Sequence, residues 1–160
     1  TEKYVKKEDF CVILPDDLII GSNCTKELIN IYNKKKSTVI GLMEVDKKDV
    51  SSYGIIESSI FKKNMYKIKS MIEKPKVKDA PSNLAIVGRY ILSNDIFRYI
   101  KKIRIGSGGE LQLTDALFLS NKFKDIWGYK FNGIRYDCGN KIGFLKAQIA
   151  VAFKNKEPIL

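Results

Sequence analysis

The chain has 160 residues, 44% of them apolar, and a formal net charge of +11. That length and apolar content suit one domain with a real core and exclude a disordered chain, while the lack of any apolar run near ~18 residues and of a signal-peptide pattern leads us to expect a cytoplasmic protein with no membrane partner. The cations are mostly lysines scattered in ones, twos and threes rather than arginines clustered on one face, so no nucleic-acid partner is expected, although the charge would draw anionic substrates toward a cleft.

In chain order, Cys11 to Leu14 is a short apolar run closed by Pro15-Asp16-Asp17, which reads as a buried parallel strand ending in a loop. Thr25 is placed to cap a helix carrying Leu28, Ile31 and Tyr32 on one face, with Lys34-Lys35-Lys36 complementing the helix dipole at its end. Thr38 to Val45 reads as a strand, so the first part spells strand, helix, strand, the βαβ unit of an α/β fold. Tyr53 to Glu57 and Met65 to Ile72 read as an antiparallel pair joined around Lys62-Lys63-Asn64, followed by a strand from Leu84 to Leu92. Asn94 or Asp95 would cap a short helix through Ile100. The glycine-rich Gly106-Ser107-Gly108-Gly109 then leads to a helix capped by Thr114 and reaching about Asn121. Ile126 to Phe131 and Ile134 to Tyr136 supply more strand signal, ending at Asp137-Cys138-Gly139-Asn140. The last helix, about Lys141 to Lys154, gathers Ile142, Leu145, Ile149, Ala152 and Phe153 on one face.

Cys11, Cys24 and Cys138 are an odd number without paired spacing, so neither a disulfide framework nor a structural zinc site is indicated. The chain has no histidine, which leaves hard cations held by carboxylates as the expected metals. It opens at Thr1 and reaches a core-type strand within ten residues, a sign of a missing N-terminal portion.

Two groups of residues carry chemistry. Glu73-Lys74-Pro75 sets a carboxylate, which accepts hydrogen bonds from hydroxyls, beside an ammonium that meets phosphate, a pairing that suits a sugar phosphate. Ligands of open α/β sheets collect beyond the carboxyl ends of strands, where Asp16 and Asp137 both fall. Each is also an ordinary turn former, but two carboxylates at one edge are what a magnesium ion bridging phosphates requires. Asp17 is either a supporting neighbour or an alternative ligand.

Leu14-Pro15-Asp16-Asp17, Tyr53-Gly54-Ile55-Ile56, Glu73-Lys74-Pro75, Ser82 to Tyr90, Gly109 to Ala116 and Asp137 to Lys141 occur in the order found in bacterial UTP-glucose-1-phosphate uridylyltransferases, and the chain resembles that family from about Phe10 to Lys156. The resemblance implies a Rossmann-like α/β nucleotidyltransferase fold, a mixed sheet flanked by helices with an antiparallel extension and with its N-terminal strands missing. Residues 1–160 would form a single domain, the sugar-phosphate and metal portion of the whole. By resemblance Asp16 and Asp137 would bind Mg²⁺, Glu73 would accept hydrogen bonds from glucose hydroxyls, and Lys74 would contact the phosphate. Gly54 would lie against the sugar, and Ile86, Val87 and Gly88 would form the wall beneath the hexose; the segment from Glu110 to Asp115 is given a structural role. The implied reaction joins UTP and glucose 1-phosphate to give UDP-glucose and pyrophosphate. Its nucleophile is already anionic at neutral pH, which is compatible with a histidine-free chain.

The family's glycine-rich nucleotide loop has no counterpart here, so the isolated chain is expected to be inactive, and full-length members are expected to be homo-oligomers. Two other readings stand beside this one: a non-catalytic sugar-phosphate-binding or regulatory homologue, and a related transferase of different base or sugar specificity.

Overall fold

The computed structural model describes residues 2–105 and 109–155. Its elements are α1 (Glu2–Val5), β1 (Phe10–Ile13), β2 (Asp17–Ile20), α2 (Cys24–Lys35), β3 (Val39–Glu44), β4 (Gly54–Lys62), β5 (Met65–Glu73), β6 (Leu84–Leu92), α3 (Ile96–Ile100), α4 (Leu113–Asn121), β7 (Trp127–Lys130), β8 (Ile134–Asp137) and α5 (Lys141–Asn155). Three of the glycine-rich run's four residues, 106–108, lie outside the described residues.

Six strands form one mixed sheet in the order β1-β6-β3-β7-β5-β4, in which only β3 and β7 are parallel neighbours. The expected βαβ unit is split. β1 and β3 run the same way, but β6 lies antiparallel between them, so among the described residues β1 is an edge strand with no parallel partner. Nor is β1 buried throughout, since Cys11 and Ile13 are exposed and only alternate residues turn inward. At the far edge the sheet curls until β4 returns to β6 through the pair Ile55↔Ala85. That curl brings the base of the β4–β5 hairpin, where Gly54 faces Glu73, beside the start of β6.

Strand alternation sorts the core into two layers. On one face Ile40, Leu42, Ile56, Leu84, Ile86 and Leu92 pack with Ile96 of α3 and with Ala116 and Leu117 of α4. On the other, Val39, Val87, Ile91 and Trp127 pack under Cys24 and Leu28 of α2. Leu28 and Leu117 are wholly buried, and each contributes about 1.5–3 kcal/mol to holding its helix on the sheet.

Several helix ends differ from expectation. α2 starts at Cys24 with Asn23 at its cap position, which puts Thr25 inside the first turn, and α4 follows Gln112 rather than Thr114. α5 docks through Ala147, while Ile142, Leu145, Ile149 and Phe153 of its expected inner face are exposed. No helix among the described residues is long and apolar enough to cross a membrane.

β2 and β8 form a separate two-stranded ribbon in which Asp17 pairs with Asp137. The ribbon is fastened to the large sheet by Asp17, only 4% exposed, whose Oδ2 accepts the Gly88 amide at 2.5 Å while Oδ1 receives the Arg135 guanidinium. Gly88 permits this approach, because a Cβ there would stand 2.5 Å from the Leu14 Cβ and 2.6 Å from Asp17 Oδ2. Burial alone would lower the Arg135 pKa, but the charge and hydrogen bond of Asp17, with smaller contributions from Tyr53 and Asp137, leave it raised, so the guanidinium stays charged. Removing one partner of a buried ion pair leaves the other uncompensated. Asp17→Ala is therefore expected to lose about 3–5 kcal/mol in urea unfolding, and a loss below about 1 kcal/mol, the range of a surface pair, would contradict the fastening role.

Burial, followed by the negative charge of Glu27, pushes the Cys24 thiol from 9.0 up to about 12. Burial is also the leading cause of the upward shifts of Tyr90 and Tyr129. Because these pKa values are higher folded than unfolded, the Cys24 contribution to stability is complete below about pH 9 and is lost as the pH rises from there toward 12, while the tyrosine contributions begin to be lost only above pH 10.0. The denaturation midpoint is expected to hold between pH 7 and 8.5 and fall above 9, with a shallower fall in Cys24→Ala; a flat profile to pH 11 would contradict this.

Candidate functional site

The curled sheet and the ribbon enclose a cavity of about 370 Å³, bordered by Asp16, Asp17, Gly54, Glu73, Lys74, Ile86, Gly88 and Asp137 among the residues singled out from sequence, and by Tyr53, Tyr90, Thr114 and Arg135 besides. A cleft of about 440 Å³ at the start of α2 is lined by Lys26 and Arg89 but by none of these acidic groups. Val87 does not reach the cavity. It lies between Ile86 and Gly88 on β6, so alternation turns it to the opposite face, under α2.

Asp16 and Asp137 come from the two halves of the ribbon. The backbone ladder continues past β2, with the Cys138 amide donating to the Asp16 carbonyl at 2.7 Å, so the loops carrying both carboxylates are tied to each other. Gly139 donates its amide to Asp137 Oδ1 at 3.0 Å, and Asn140 accepts the Gly143 amide at 2.8 Å, which caps α5 directly after the turn. A Cβ on Gly139 would stand 3.1 Å from Asp137 Oδ1 and 3.2 Å from Asp16 Oδ2, so the two carboxylates converge on a space that an added methyl would crowd. Two hard oxygen donors at such a space fit Mg²⁺, which commonly takes one or two protein carboxylates. Among the described residues no group of three or more acidic, cysteine or histidine ligands forms. Asp137 Oδ2 also lies 3.8 Å from Arg135 Nη1. Asp17 is committed to Gly88 and Arg135 and is not free to be a ligand.

On the other side of the cavity, Glu73 ends β5 and is half-buried. Thr114 donates its hydroxyl to Glu73 Oε2 at 2.5 Å. Lys74 follows with φ +45°, a left-handed conformation that costs a residue other than glycine about 1–3 kcal/mol. Its amide donates to the Tyr53 carbonyl at 3.0 Å, which closes the hairpin base and leaves the exposed ammonium beside the cavity. Gly54 is needed here for packing, since a Cβ would stand 3.0 Å from Glu73 Oε2 and 3.2 Å from Thr114 Oγ1. The Gly88 amide, expected to contribute to the wall of the site, is already taken by Asp17.

Arg135, Tyr53, Tyr90 and Thr114 border the cavity without being marked as site residues by the sequence. Arg135 Nη1 donates to the Tyr53 hydroxyl oxygen at 3.3 Å, which links the ribbon to the hairpin base. Burial, then the charges of Glu73 and Asp17, hold the Tyr90 hydroxyl in its protonated form. Alternation would have found Tyr90, two residues beyond Gly88 on the same face of β6, but nothing local marks Thr114 or Arg135.

The chain is 40% identical over 157 residues to the UTP-glucose-1-phosphate uridylyltransferase of Staphylococcus epidermidis and 43% identical over 159 residues to that of Mycoplasma genitalium, in each case covering 98% of this chain and 54% of the relative. Among solved structures, a UDP-glucose pyrophosphorylase complexed with UDP-glucose superposes with a TM-score of 0.92 at 41% identity, covering 96% of this chain and 59% of that one. The UTP-bound enzyme of Acinetobacter baumannii gives 0.82 at 32% identity, covering 96% and 54%. The chain thus spans about half the length of the relatives it matches. Nearly all of it, residues 1–152, is matched by the nucleotidyl transferase model, and the chain belongs to the nucleotidyl transferase family.

Proposed function

We propose that this chain forms the sugar-phosphate and metal side of a site that makes UDP-glucose and pyrophosphate from UTP and glucose 1-phosphate. The observation that carries the reading is the meeting, in one cavity, of Glu73 and Lys74 with the convergent pair Asp16 and Asp137. The identity to uridylyltransferases over 98% of the chain supports the choice of sugar and base.

In this reading a phosphate oxygen of glucose 1-phosphate attacks the α-phosphorus of UTP, the bond from that phosphorus to the oxygen bridging it to the β-phosphorus breaks, and pyrophosphate leaves. The attacking oxygen is already anionic, so no side chain has to remove a proton. Glu73 accepts hydrogen bonds from glucose hydroxyls and fixes the ring. Lys74 holds the sugar-linked phosphate, and its strained backbone, pinned at Tyr53, keeps the residue at the border of the cavity. Ile86 lies beneath the hexose. Asp16 and Asp137 would hold Mg²⁺, which when bound neutralises charge between the two phosphates. Ordering these groups beforehand is the chain's contribution, since phosphoryl transfer depends on alignment and charge neutralisation more than on covalent help.

Calorimetric titration of glucose 1-phosphate and UDP-glucose, with and without Mg²⁺, tests the assignment. Glu73→Ala is expected to weaken sugar binding about tenfold or more, the loss of one or two hydrogen bonds to a charged group, with the fold intact; unchanged affinity would defeat the reading. Lys74→Gly separates strain from binding. Glycine adopts the left-handed conformation without penalty, so thermal stability is expected to hold or rise while affinity for the sugar phosphate falls. A variant both less stable and equally tight would contradict both parts.

A further inference from the structure

Thr114 has the sequence position of a helix cap, yet Gln112 stands at the cap position of α4. The Thr114 hydroxyl turns instead to Glu73 Oε2 at 2.5 Å, across 41 residues of sequence. α4 cannot rotate to release it, because Ala116 and Leu117 in the next turn are wholly buried against the sheet. Thr114 is itself buried and borders the cavity. A hydroxyl has one proton, and this one is committed to the carboxylate.

Glutamate has one of the more costly side chains to order, and a free Glu73 at a strand end would sample many rotamers. With Oε2 tethered by Thr114, and with Gly54 opposite leaving room for both groups, the carboxylate loses rotamer freedom and presents both lone pairs of Oε1, and one of Oε2, to ligand hydroxyls. A carboxylate fixed in this way presents acceptors in set directions, so hydroxyls of one configuration meet them better than those of an epimer. The first turn of α4 adds its positive end close to the same carboxylate.

We infer that Thr114 is a positioning residue for hexose recognition: it holds Glu73 in the one orientation that reads the sugar's hydroxyls, and it thereby contributes to discrimination between epimers. The inference rests on the proposed contact between Glu73 and the sugar. It gives the segment from Glu110 to Asp115, read from sequence as structural, a part in the site through the first turn of α4.

The test compares Thr114→Val, which keeps the shape and removes the donor, with Thr114→Ser, which restores it, each with Glu73 present and in the Glu73→Ala background. Binding of glucose 1-phosphate and of its 2- and 4-epimers, mannose 1-phosphate and galactose 1-phosphate, is followed by ligand-observed NMR, and folding by thermal unfolding. Thr114→Val is expected to weaken glucose 1-phosphate about tenfold and to narrow the preference over the epimers. Thr114→Ser should stay within about twofold of the parent, and Thr114→Val should change little once Glu73 is gone. If Thr114→Val binds like the parent while Glu73→Ala does not, Thr114 is packing only, and the inference falls while the site stands. Equal losses in the serine and valine variants, in step with lost thermal stability, would overturn it too. If Glu73→Ala itself binds like the parent, the reading of the site fails and takes this inference with it.

Discussion

One buried carboxylate connects the two parts of the molecule. Asp17 accepts the Gly88 amide from β6 of the large sheet and the Arg135 guanidinium from the ribbon, and a second arginine, Arg89, donates to its backbone carbonyl. Arg89 also reaches the carbonyls of Leu14 and Gly88, at 3.2 and 2.8 Å, so the turn that presents Asp16 is held from both sides. A carboxylate removed from water is stable only when its lone pairs are met, and here each oxygen has a strong donor. The ribbon buries little apolar surface of its own; Leu18 and Ile134 remain exposed. Polar fastening therefore carries much of what hydrophobic packing does elsewhere in the fold.

The curl of the sheet does the complementary work. A flat six-stranded sheet would leave the β4–β5 hairpin base far from β6; the return contact at Ile55 and Ala85 places Gly54 and Glu73 beside Ile86 and Gly88. α4 then seals the opening, with Leu117 in the core and Thr114 on Glu73. The strain at Lys74 falls where the chain leaves the hairpin, and the Tyr53 carbonyl that holds it belongs to the residue just before the glycine of β4.

Much of this was legible in the sequence, and the failures have physical causes. The strand from Leu84 to Leu92 was read at its observed limits because it is apolar on both faces between Asn83 and Ser93. Asp16, Glu73 and Asp137 stand at or just beside strand ends, a placement that shows in the sequence because each adjoins an apolar run. Strand direction was not legible: Cys11 to Leu14 looks like a parallel core strand, but its neighbour is set by a chain reversal some eighty residues later. Thr114 and Thr25 were both assigned as caps because cap preference is a local signal, whereas the choice between capping and a distant carboxylate is made by tertiary packing. Arg135 lies 118 residues from Asp17 and carries no periodic mark. The inner face assigned to α5 failed because that helix is apolar nearly all round, so its pattern does not choose a side.

The ribbon has one more consequence. Asp16 and Asp137 are joined by their own backbone ladder, while Glu73 and Lys74 belong to the large sheet. Any sliding of the ribbon would carry both proposed cation ligands together and leave their mutual spacing untouched, while changing the separation between cation and sugar phosphate. The seat of that slide is the contact of Leu14 and Asp17 with Gly88. In the proposed reaction the gap between the two phosphates would accordingly be tuned at residues that touch neither of them, much as a vernier sets one rigid scale against another.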